Sequence, residues 1–498
     1  MHAGRSSAGS LLLRVPVLAA LAALPARADH PADFRSALDG LRANNMAKVD
    51  HEFLKDASQD GADRLLCLYE LGGFYHLQGN FKKSIEFFNT ADAVAHDYEG
   101  RAVVSAGAAA RTAGAVLVND TLLRYEGFGY DKVMSRTLNA LNYVLQGDLE
   151  GARVEVRKAE EYQRLEREKH EQEMQKAGRP QPGTESASLA NPTVQANYHR
   201  MFEQVQNVRN SFENAFTYYL SSQIFLAQGE DGLNDAMVEI RRAFQLAPDA
   251  PAVRSAYLEI AGAQGGAALD QARADLRAPA LDPPPDPRAA SLVVCYEAGL
   301  VPELDQVRLA LPAMNRLYTL AFPIYRDLGS PQPPVYVIPP APGRPCATTP
   351  VVATRNLAVK SLQERMPGIL TRGLAGAVAR GGVQQKAEKD YGPLGGFLSK
   401  LASAVVTSAD RRTWLSLPAE VQVAKCSLPP ETTILAVNGP GWSEPVSVNA
   451  VPGSCTFLVV RAIPGFRRID VRTFVPEAAP AAIPATAPVD QPASPVAQ

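Results

Sequence analysis

The spacing of apolar side chains changes about halfway along this chain of 498 residues. In the first half they recur at the helical period, which places them on one face of each helix. After the proline-rich residues 278–290 they fall in short runs bounded by Pro or Gly, which predict strands. These runs are SLVVCYEAGL, PPVYVIPP, AEVQVAKCSL, TTILAVN, PVSVNAV, CTFLVVRAI and RRIDVRTF. The pattern predicts a multidomain protein, α in the first half and α+β in the second.

Three stretches of the first half share one arrangement of small, large and turn residues. In LYELGGFYHLQGNFKKSIEFFNTAD, small Gly72 and large Phe88 lie on either side of the turn glycine Gly79. LNALNYVLQGDLEGARVEVRKAEE and AFTYYLSSQIFLAQGEDGLNDAMVEIRRAFQLAPDAP fit the same frame. Two antiparallel helices approach closely only where a small side chain faces a large one. The spacing resembles that of tetratricopeptide repeats and predicts a tetratricopeptide-like α-solenoid over residues 29–277, interrupted by an insertion at about 165–196.

Proline marks the other domain boundaries. Residues 278–290 are predicted to be a stiff linker and the Ala/Pro-rich residues 476–498 a disordered tail. Between them, residues 291–475 are expected to form a mixed domain. It would contain helices from Asn356 to about Ser408, followed by a small antiparallel β-sandwich from about Trp414 to Phe474.

The N-terminus predicts an export signal over residues 1–28. Arg5 and Arg14 accompany the short apolar run VPVLAALAAL, and ARA then fits the small-x-small rule for cleavage. The run is shorter than the roughly 20 apolar residues that a membrane span needs, although a retained anchor is the alternative. We therefore expect an exported, periplasmic protein, and leave association with the outer membrane open.

Cysteine usage and charge narrow the classes of function. Five cysteines allow at most two disulfide bridges. Cys67 is expected to be a small core residue. Any bridge is expected to form among the other four, which are Cys295, Cys346, Cys426 and Cys455. Their spacing does not suit a zinc site, so no metal is predicted. A formal net charge of −2 argues against a nucleic-acid partner.

The sequence offers few signs of catalysis. None of the seven histidines lies beyond residue 199, so the second half lacks the side chain that most often does acid–base work. A nucleophile elbow, a phosphate-binding glycine loop and a dinucleotide fingerprint are all missing, and no cofactor is predicted. The enzymatic alternative acts on cell-wall polymer through Glu297, Asp410 and Glu420, since glycosidase chemistry needs only two carboxylates.

The stretch ADRRTWLSLPAEVQVAK crowds an acid, two arginines and a tryptophan together. As a strand it would place alternate residues on opposite faces. We expect Arg412 to pair with Asp410 and to stack on Trp414, and Pro418 to require a sheet edge or bulge. One face would then carry Leu415, Leu417, Val421 and Val423, and the other Asp410, Arg412, Trp414 and Ser416. A structural brace is favoured, and a partner-contact patch is the alternative.

This stretch also resembles the A-D-x-R-x-W-x-x-L-P-x-E signature of a poorly characterised group of bacterial cell-envelope proteins with tetratricopeptide repeats. The matching residues are Asp410, Arg412, Trp414, Leu417 and Pro418. YEAGLVPE, LAFPIY and NAFTYYLSSQIFLAQG resemble other blocks of that family, so the resemblance spans nearly all of the chain after the signal. It implies a place in the envelope but no reaction, because the family has no established activity. Relatives are often predicted lipoproteins, whereas this chain lacks the lipobox cysteine.

The combined expectation is a non-enzymatic periplasmic scaffold or adaptor in cell-envelope organisation. It would bind other envelope proteins or peptides in the groove of the helical array. Six groove-lining residues are predicted: Tyr69, His76, Thr137, Leu141, Tyr219 and Gln223. Attachment to a membrane surface through the apolar stretches GILTRGLAGAVARGG and GPLGGFLSKLASAVV is a further alternative. Burial of these stretches against the sheet is favoured over it.

Overall fold

The computed structural model describes the helical and strand-forming parts of the chain in several ranges. They are residues 30–109, 124–177, 192–277, 290–313, 316–341, 343–373, 408–429 and 431–475. The predicted export signal, nearly all of the linker, the tail and most of the two apolar stretches lie outside these ranges. Across the described residues, no helix has both the length and the hydropathy of a membrane span.

In the first half, the described residues form eleven α-helices and a short 3-10 turn at Glu230–Gly232. The helices are α1 (His30–Arg42), α2 (Met46–Ser58), α3 (Arg64–Gln78), α4 (Phe81–Ala109), α5 (Gly129–Gln146), α6 (Leu149–Ala177), α7 (Pro192–Glu203), α8 (Ala215–Ala227), α9 (Leu233–Leu246), α10 (Pro251–Gln264) and α11 (Gly266–Leu276). The expectation of a helical first half is confirmed.

The three predicted helix pairs are α3 with α4, α5 with α6, and α8 with α9. Gly79 and Gly147 end the first helix of two pairs at φ 84° and 88°, in the left-handed conformation that favours glycine. A Cβ on Gly72 would lie 2.5 Å from Cε1 of Phe88, so the close approach of α3 and α4 requires glycine there. The packing of small against large residues is confirmed at this pair. The tetratricopeptide character of the array stays a prediction.

The second half contains eleven strands and one helix among its described residues. They are β1 (Ala290–Ala298), β2 (Asp305–Ala313), β3 (Arg316–Ile324), β4 (Tyr336–Ile338), β5 (Cys346–Ala347), β6 (Thr349–Val352), α12 (residues 354–373), β7 (Glu420–Leu428), β8 (Ile434–Gly439), β9 (Trp442–Ser447), β10 (Cys455–Ile463) and β11 (Phe466–Phe474). Each of the seven predicted runs contributes a strand. The long hairpin β2–β3 and the short β5 and β6 were not predicted.

The predicted sandwich over residues 414–474 is wrong in its boundaries and strand directions. The sheet β11-β10-β1-β7-β6 has β1, from the start of the domain, at its centre. β1 pairs in parallel with β10 and antiparallel with β7, so this sheet is mixed. It packs against the antiparallel sheet β5-β4-β8-β9, with Leu292 and Val294 meeting Val337 and Leu435 in one core. The sandwich therefore combines β1 and β4–β11, whereas β2 and β3 pair only with each other. The parallel partner of β10 comes from a distant part of the chain, as parallel pairing requires.

One disulfide joins the two sheets, and a shared apolar core joins the five-stranded sheet to the helices. Cys346 of β5 is bonded to Cys426 of β7, which settles the connectivity that the sequence left open, and Cys67 is buried as predicted. Alternate residues of β1 face opposite ways. Leu292 and Val294 face the four-stranded sheet, whereas Val293 and Cys295 join the core formed by the helices. The five-stranded sheet is therefore covered by helices on one face and by strands on the other.

Candidate functional site

The six residues predicted to line a groove are all buried, and none is more than 4 % exposed. Tyr69, His76 and Gln223 contact the C-terminal domain, whereas Thr137 bonds to Thr217 of the neighbouring helix at 2.8 Å and Leu141 lies in the apolar core. Tyr219 is buried in the same core. These six positions therefore form no open groove in this structure, because three of them are covered by the chain's own second half and three are buried in the interior. Their role in binding a partner stays a prediction.

Part of that cover is an irregular stretch, Asp410–Pro418, which we call the signature segment. It was expected to be a strand, and this expectation is wrong, because regular pairing begins only at Glu420. Glu70 of α3 accepts hydrogen bonds from the backbone N–H groups of Leu415 at 2.7 Å and Ser416 at 3.1 Å. A side chain of the helical array therefore occupies the donors that a strand would use in its ladder.

Trp414 is the buried centre of the signature segment. Its ring stacks on Tyr69 with centroids 4.8 Å apart and meets the edge of Phe88 at 5.7 Å. Its Nε1–H donates to Oγ of Ser416 at 2.7 Å, so the indole keeps its hydrogen bond inside the protein. A Cβ on Gly73 would lie 2.2 Å from that Oγ, so α3 admits the segment only because residue 73 is glycine.

Arg412 joins the segment to the start of α3. Its Nε and Nη2 donate to Asp410 at 2.8 and 2.6 Å, which confirms the predicted pair, and its Nη1 donates to Asp63 at 2.9 Å. The expected stacking on Trp414 is wrong, because the guanidinium lies over the ring of Tyr125 instead. Burial alone would lower the pKa of Arg412, but its bonds to Asp410 and Asp63 outweigh burial and raise it. The arginine is therefore charged wherever the segment is docked.

Glu70 also connects the segment to α1. Nε2 of His30 lies 3.2 Å from Oε1 of Glu70 and 3.1 Å from the carbonyl oxygen of Thr413. The hydroxyl of Tyr130, on α5, is 3.2 Å from Oγ1 of Thr413. Helices α1, α3 and α5 thus bind Thr413, Leu415 and Ser416 through one carboxylate, one imidazole and one phenol.

A second buried cluster links α3 to the central sheet. Nε2 of His76 lies 2.9 Å from Oε2 of Glu297 on β1, and Nδ1 lies 2.6 Å from Oδ1 of Asn142 on α5. Burial alone would lower the pKa of His76, but attraction to Glu297 and the two hydrogen bonds outweigh it and raise the pKa. Burial alone would raise the pKa of Glu297, but His76 lowers it. Both shifts favour the ionised form of the pair in the folded protein.

Arg461 of β10 completes this cluster. Its Nε lies 3.8 Å from Oε2 of Glu297, and its Nη2 donates to the carbonyl oxygen of Ser416 at 3.1 Å. Burial lowers the pKa of Arg461 to about 10, which leaves it charged at physiological pH. The arginine thus connects the His76 cluster to the end of the signature segment.

Three further basic side chains connect the sheet to the helices. Nζ of Lys425, on β7, forms an ion pair with Glu259 of α10 and donates to Oε1 of Gln223 at 2.6 Å. The side chain of Arg468, on β11, covers the C-terminal glycine of α3 and donates to the carbonyl oxygen of Gln78 at 3.0 Å. Arg472 covers Gly147 at the end of α5 in the same way. Cations at helix C-termini are favourable because of the helix dipole.

The three carboxylates of the enzymatic alternative lie in three separate contacts. Glu297 pairs with His76, Asp410 with Arg412, and Glu420 with Arg355 at 2.8 Å. A surface cavity of about 330 Å³ is lined by none of them; its lining residues are Ser447, Val448, Asn449, Val471, Arg472 and Thr473. The geometry does not bring these acids together around a substrate-sized space within the described residues.

Sequence reasoning missed the partners of the signature segment. Glu70 and Gly73 are the most important of them, and both lie in α3. A signal was present, since Glu70 is an acid in the otherwise apolar run LLCLYELGGF. A fully buried acid requires a partner. That partner is 345 residues away, so no local pattern could identify it.

The chain matches no protein-family model, no curated protein and no solved structure. The resemblance to envelope proteins therefore stays a prediction.

Proposed function

We propose that this protein is a non-enzymatic scaffold or adaptor of the cell envelope that holds polypeptide segments on the inner face of its helical array. One observation carries the proposal: the array holds its own signature segment in the way a receptor holds a peptide. Glu70 binds two backbone N–H groups, Tyr69 and Phe88 enclose a tryptophan, and Asp63 binds an arginine. Backbone capture combined with side-chain pockets is how grooves recognise extended peptides.

The exported location and the tetratricopeptide-like nature of the helix pairs belong to this proposal. The turn glycines and the fit of Gly72 against Phe88 support the repeat assignment. VPVLAALAAL followed by ARA supports export. In this form the face of the helices that binds the signature segment is closed, and partners gain access when the part of the C-terminal domain that covers it is displaced.

Crosslinking in intact cells followed by mass spectrometry tests the proposal. The wild type is compared with Lys425→Met, which removes the ion pair to Glu259 without touching the residues that hold the signature segment. We expect the variant to capture more partner protein than the wild type, and Tyr69→Ala in the same background to reverse this gain. Val238→Ala, at an exposed position on α9, is the control.

Equal capture by the wild type and by a folded Lys425→Met variant would contradict the proposal. Hydrolysis of cell-wall polymer by the purified protein, abolished by Glu297→Gln, would establish the enzymatic alternative in its place.

A further inference from the structure

We infer that the array recognises in its partners a segment with an arginine two residues before a tryptophan and a small residue two residues after it. This inference rests on the proposed function and assigns the partner's chemistry. The signature segment, with Arg412, Trp414 and Ser416, is then an internal copy of the ligand that occupies the site in the closed form.

The main-chain contacts would hold any extended segment. Glu70 binds the N–H groups of two successive residues, and His30 lies 3.1 Å from the carbonyl oxygen of a third. Such contacts supply affinity but read no side chain. They explain how a stretch without regular secondary structure is held against α3.

Three side-chain positions supply the selectivity. The stacked ring of Tyr69 and the edge of Phe88 form a pocket that fits a flat indole. Asp63 is placed for a guanidinium two residues earlier, at 2.9 Å from Nη1 of Arg412. Gly73 leaves room for a serine-sized side chain two residues later, since even a Cβ on residue 73 would lie 2.2 Å from Oγ of Ser416.

The C-terminal domain holds the segment at its two ends. Oε1 of Gln306 accepts from the N–H of Ala409 at 3.2 Å. Arg461 and the N–H of Val301 bind the carbonyl oxygens of Ser416 and Leu417. The middle of the segment, which carries the arginine and the tryptophan, is the part bound by the helices. A partner segment could therefore replace that middle part while the sheet remains docked.

Tethering explains why the site is filled in the closed form. A segment joined to the same chain acts at an effective concentration on the order of millimolar, so a free peptide competes poorly with it. Weakening the internal copy should expose the site to a peptide added in trans. The full-length chain with a damaged internal copy is therefore the form to test.

The probe is a fluorescent peptide, SADRRTWLSLP, which has the sequence of residues 408–418. Its binding to full-length protein is measured by fluorescence anisotropy, with the wild type compared to the double variant Arg412→Ala, Trp414→Ala. We expect the double variant to bind the peptide at least tenfold more tightly than the wild type. A peptide with alanine in place of tryptophan should lose this gain.

A receptor variant checks that the peptide occupies the same site. Glu70→Gln in the double-variant background should weaken binding at least tenfold, because a carboxylate that accepts two N–H groups is replaced by an amide. Glu171→Gln, at an exposed position on α6, is the matched control and should change nothing.

A folded double variant that shows no gain in binding overturns the inference. If the double variant has no cooperative melting transition, two other measurements decide. Arg412→Ala alone should show a smaller gain, and a benzophenone-bearing peptide at millimolar concentration should crosslink to residues 63–73 of the wild type. A crosslink elsewhere, or equal binding by Arg412→Ala and the wild type, overturns it.

The two proposals fail in different ways. Partner capture in cells without any peptide binding in vitro would leave the scaffold in place and remove the recognition rule. Peptide binding in vitro without any gain of partners in cells would contradict the scaffold, and the site would then serve only to close the chain on itself.

Discussion

Gly73 shows how a single missing side chain permits the docking of a whole segment. A Cβ at this position would lie 2.2 Å from Oγ and 3.0 Å from Cβ of Ser416, closer than real atoms pack. We expect Gly73→Ala to lower the free energy of unfolding by about 1–3 kcal/mol, as overpacked cores do. Urea denaturation of the full-length protein measures the change.

Gly100→Ala is the matched control for this prediction, because Gly100 also lies inside a helix and a Cβ there would meet nothing within 4 Å. That variant should raise the free energy of unfolding by about 0.5–1 kcal/mol through helix propensity alone. Effects of the same sign at both positions would contradict the close contact between α3 and the signature segment.

Asp131 is a buried acid beside the same segment. Its Oδ2 accepts from the hydroxyl of Tyr125 at 2.5 Å and from the N–H of Phe128 at 2.9 Å, while its Oδ1 is buried without a partner among the described residues. Burial raises the pKa of Asp131 to about 7, although its two hydrogen bonds lower it. The folded state therefore binds a proton that the unfolded chain releases near pH 4.

Stability contributed by this proton is lost as the pH rises from about 4 to 7. We expect Asp131→Asn to flatten that part of the stability profile, because the amide carries no charge at any pH. The free energy of unfolding of the variant, relative to that of the wild type, should increase by about 1–3 kcal/mol from pH 5 to pH 8.5, since each unit of pKa shift corresponds to about 1.4 kcal/mol. Chemical denaturation at the two pH values measures this increase. The same difference between variant and wild type at both pH values would refute the raised pKa of Asp131.

At the level of elements, local periodicity predicted the helices and strands that form from residues close together in the chain. The helix pairs with their turn glycines and the seven β-rich runs all follow from spacing within about thirty residues. The hairpin β2–β3 was not predicted because Pro312 and Pro323 interrupt the apolar runs of its two strands, and proline normally counts against a strand. The parallel pairing of β1 with β10 was not predicted because it joins residues far apart in the chain.

The candidate site was predicted only in part, because it too depends on contacts between residues far apart in the chain. Tyr69 and Trp414 were both singled out, but by separate patterns, and only the fold brings them into one stack. The pair of Asp410 and Arg412 was predictable because two residues separate them. The third partner, Asp63, lies 349 residues away, so its role depends on the docking of one domain on the other.

The edge strand β11 caps two helices, and this arrangement predicts different roles for neighbouring arginines. Arg468 covers the C-terminus of α3 and bonds to Gln78, whereas Arg467 pairs with Glu444 of β9 at the surface. We expect Arg468→Ala to cost about 0.5–2 kcal/mol and to speed amide exchange at residues 76–80. Arg467→Ala should cost less than about 1 kcal/mol and leave that exchange unchanged. Equal effects on the exchange would argue against the cap.

For the molecule as a whole, the helices and the central sheet share one core. Val293, Val423 and Phe457 from the sheet belong to the same buried cluster as Tyr69 and Leu141 from the helices. The two parts therefore lack separate apolar cores on the faces where they meet, and separating them exposes both. Local displacement of the signature segment exposes less of this shared core than separation of the two parts does, so it is the less costly way to open the site for a partner.

The buried pair of His76 and Glu297 makes this closure dependent on pH. The pKa of His76 is raised, so the stability that it contributes is complete below its unfolded pKa of about 6.5 and is lost as the pH rises through the higher folded value. The pKa of Glu297 is lowered, so its contribution is complete above about pH 4.3 and is lost as the pH falls through the folded value. The pair is at full strength between these limits, from about pH 4.5 to 6.5.

His76→Gln tests this window, because glutamine keeps hydrogen-bonding groups but carries no charge. We expect the variant to melt well below the wild type at pH 5.5, and the difference to shrink as the pH rises past the folded pKa of His76. His51→Gln, at an exposed position on α2, is the control and should show no such dependence. Comparing each variant with the wild type at the same pH removes the contribution of Asp131, which has the same sign. A difference that stays constant from pH 5.5 to 8.5 would mean that His76 joins the domains through packing and not through its charge.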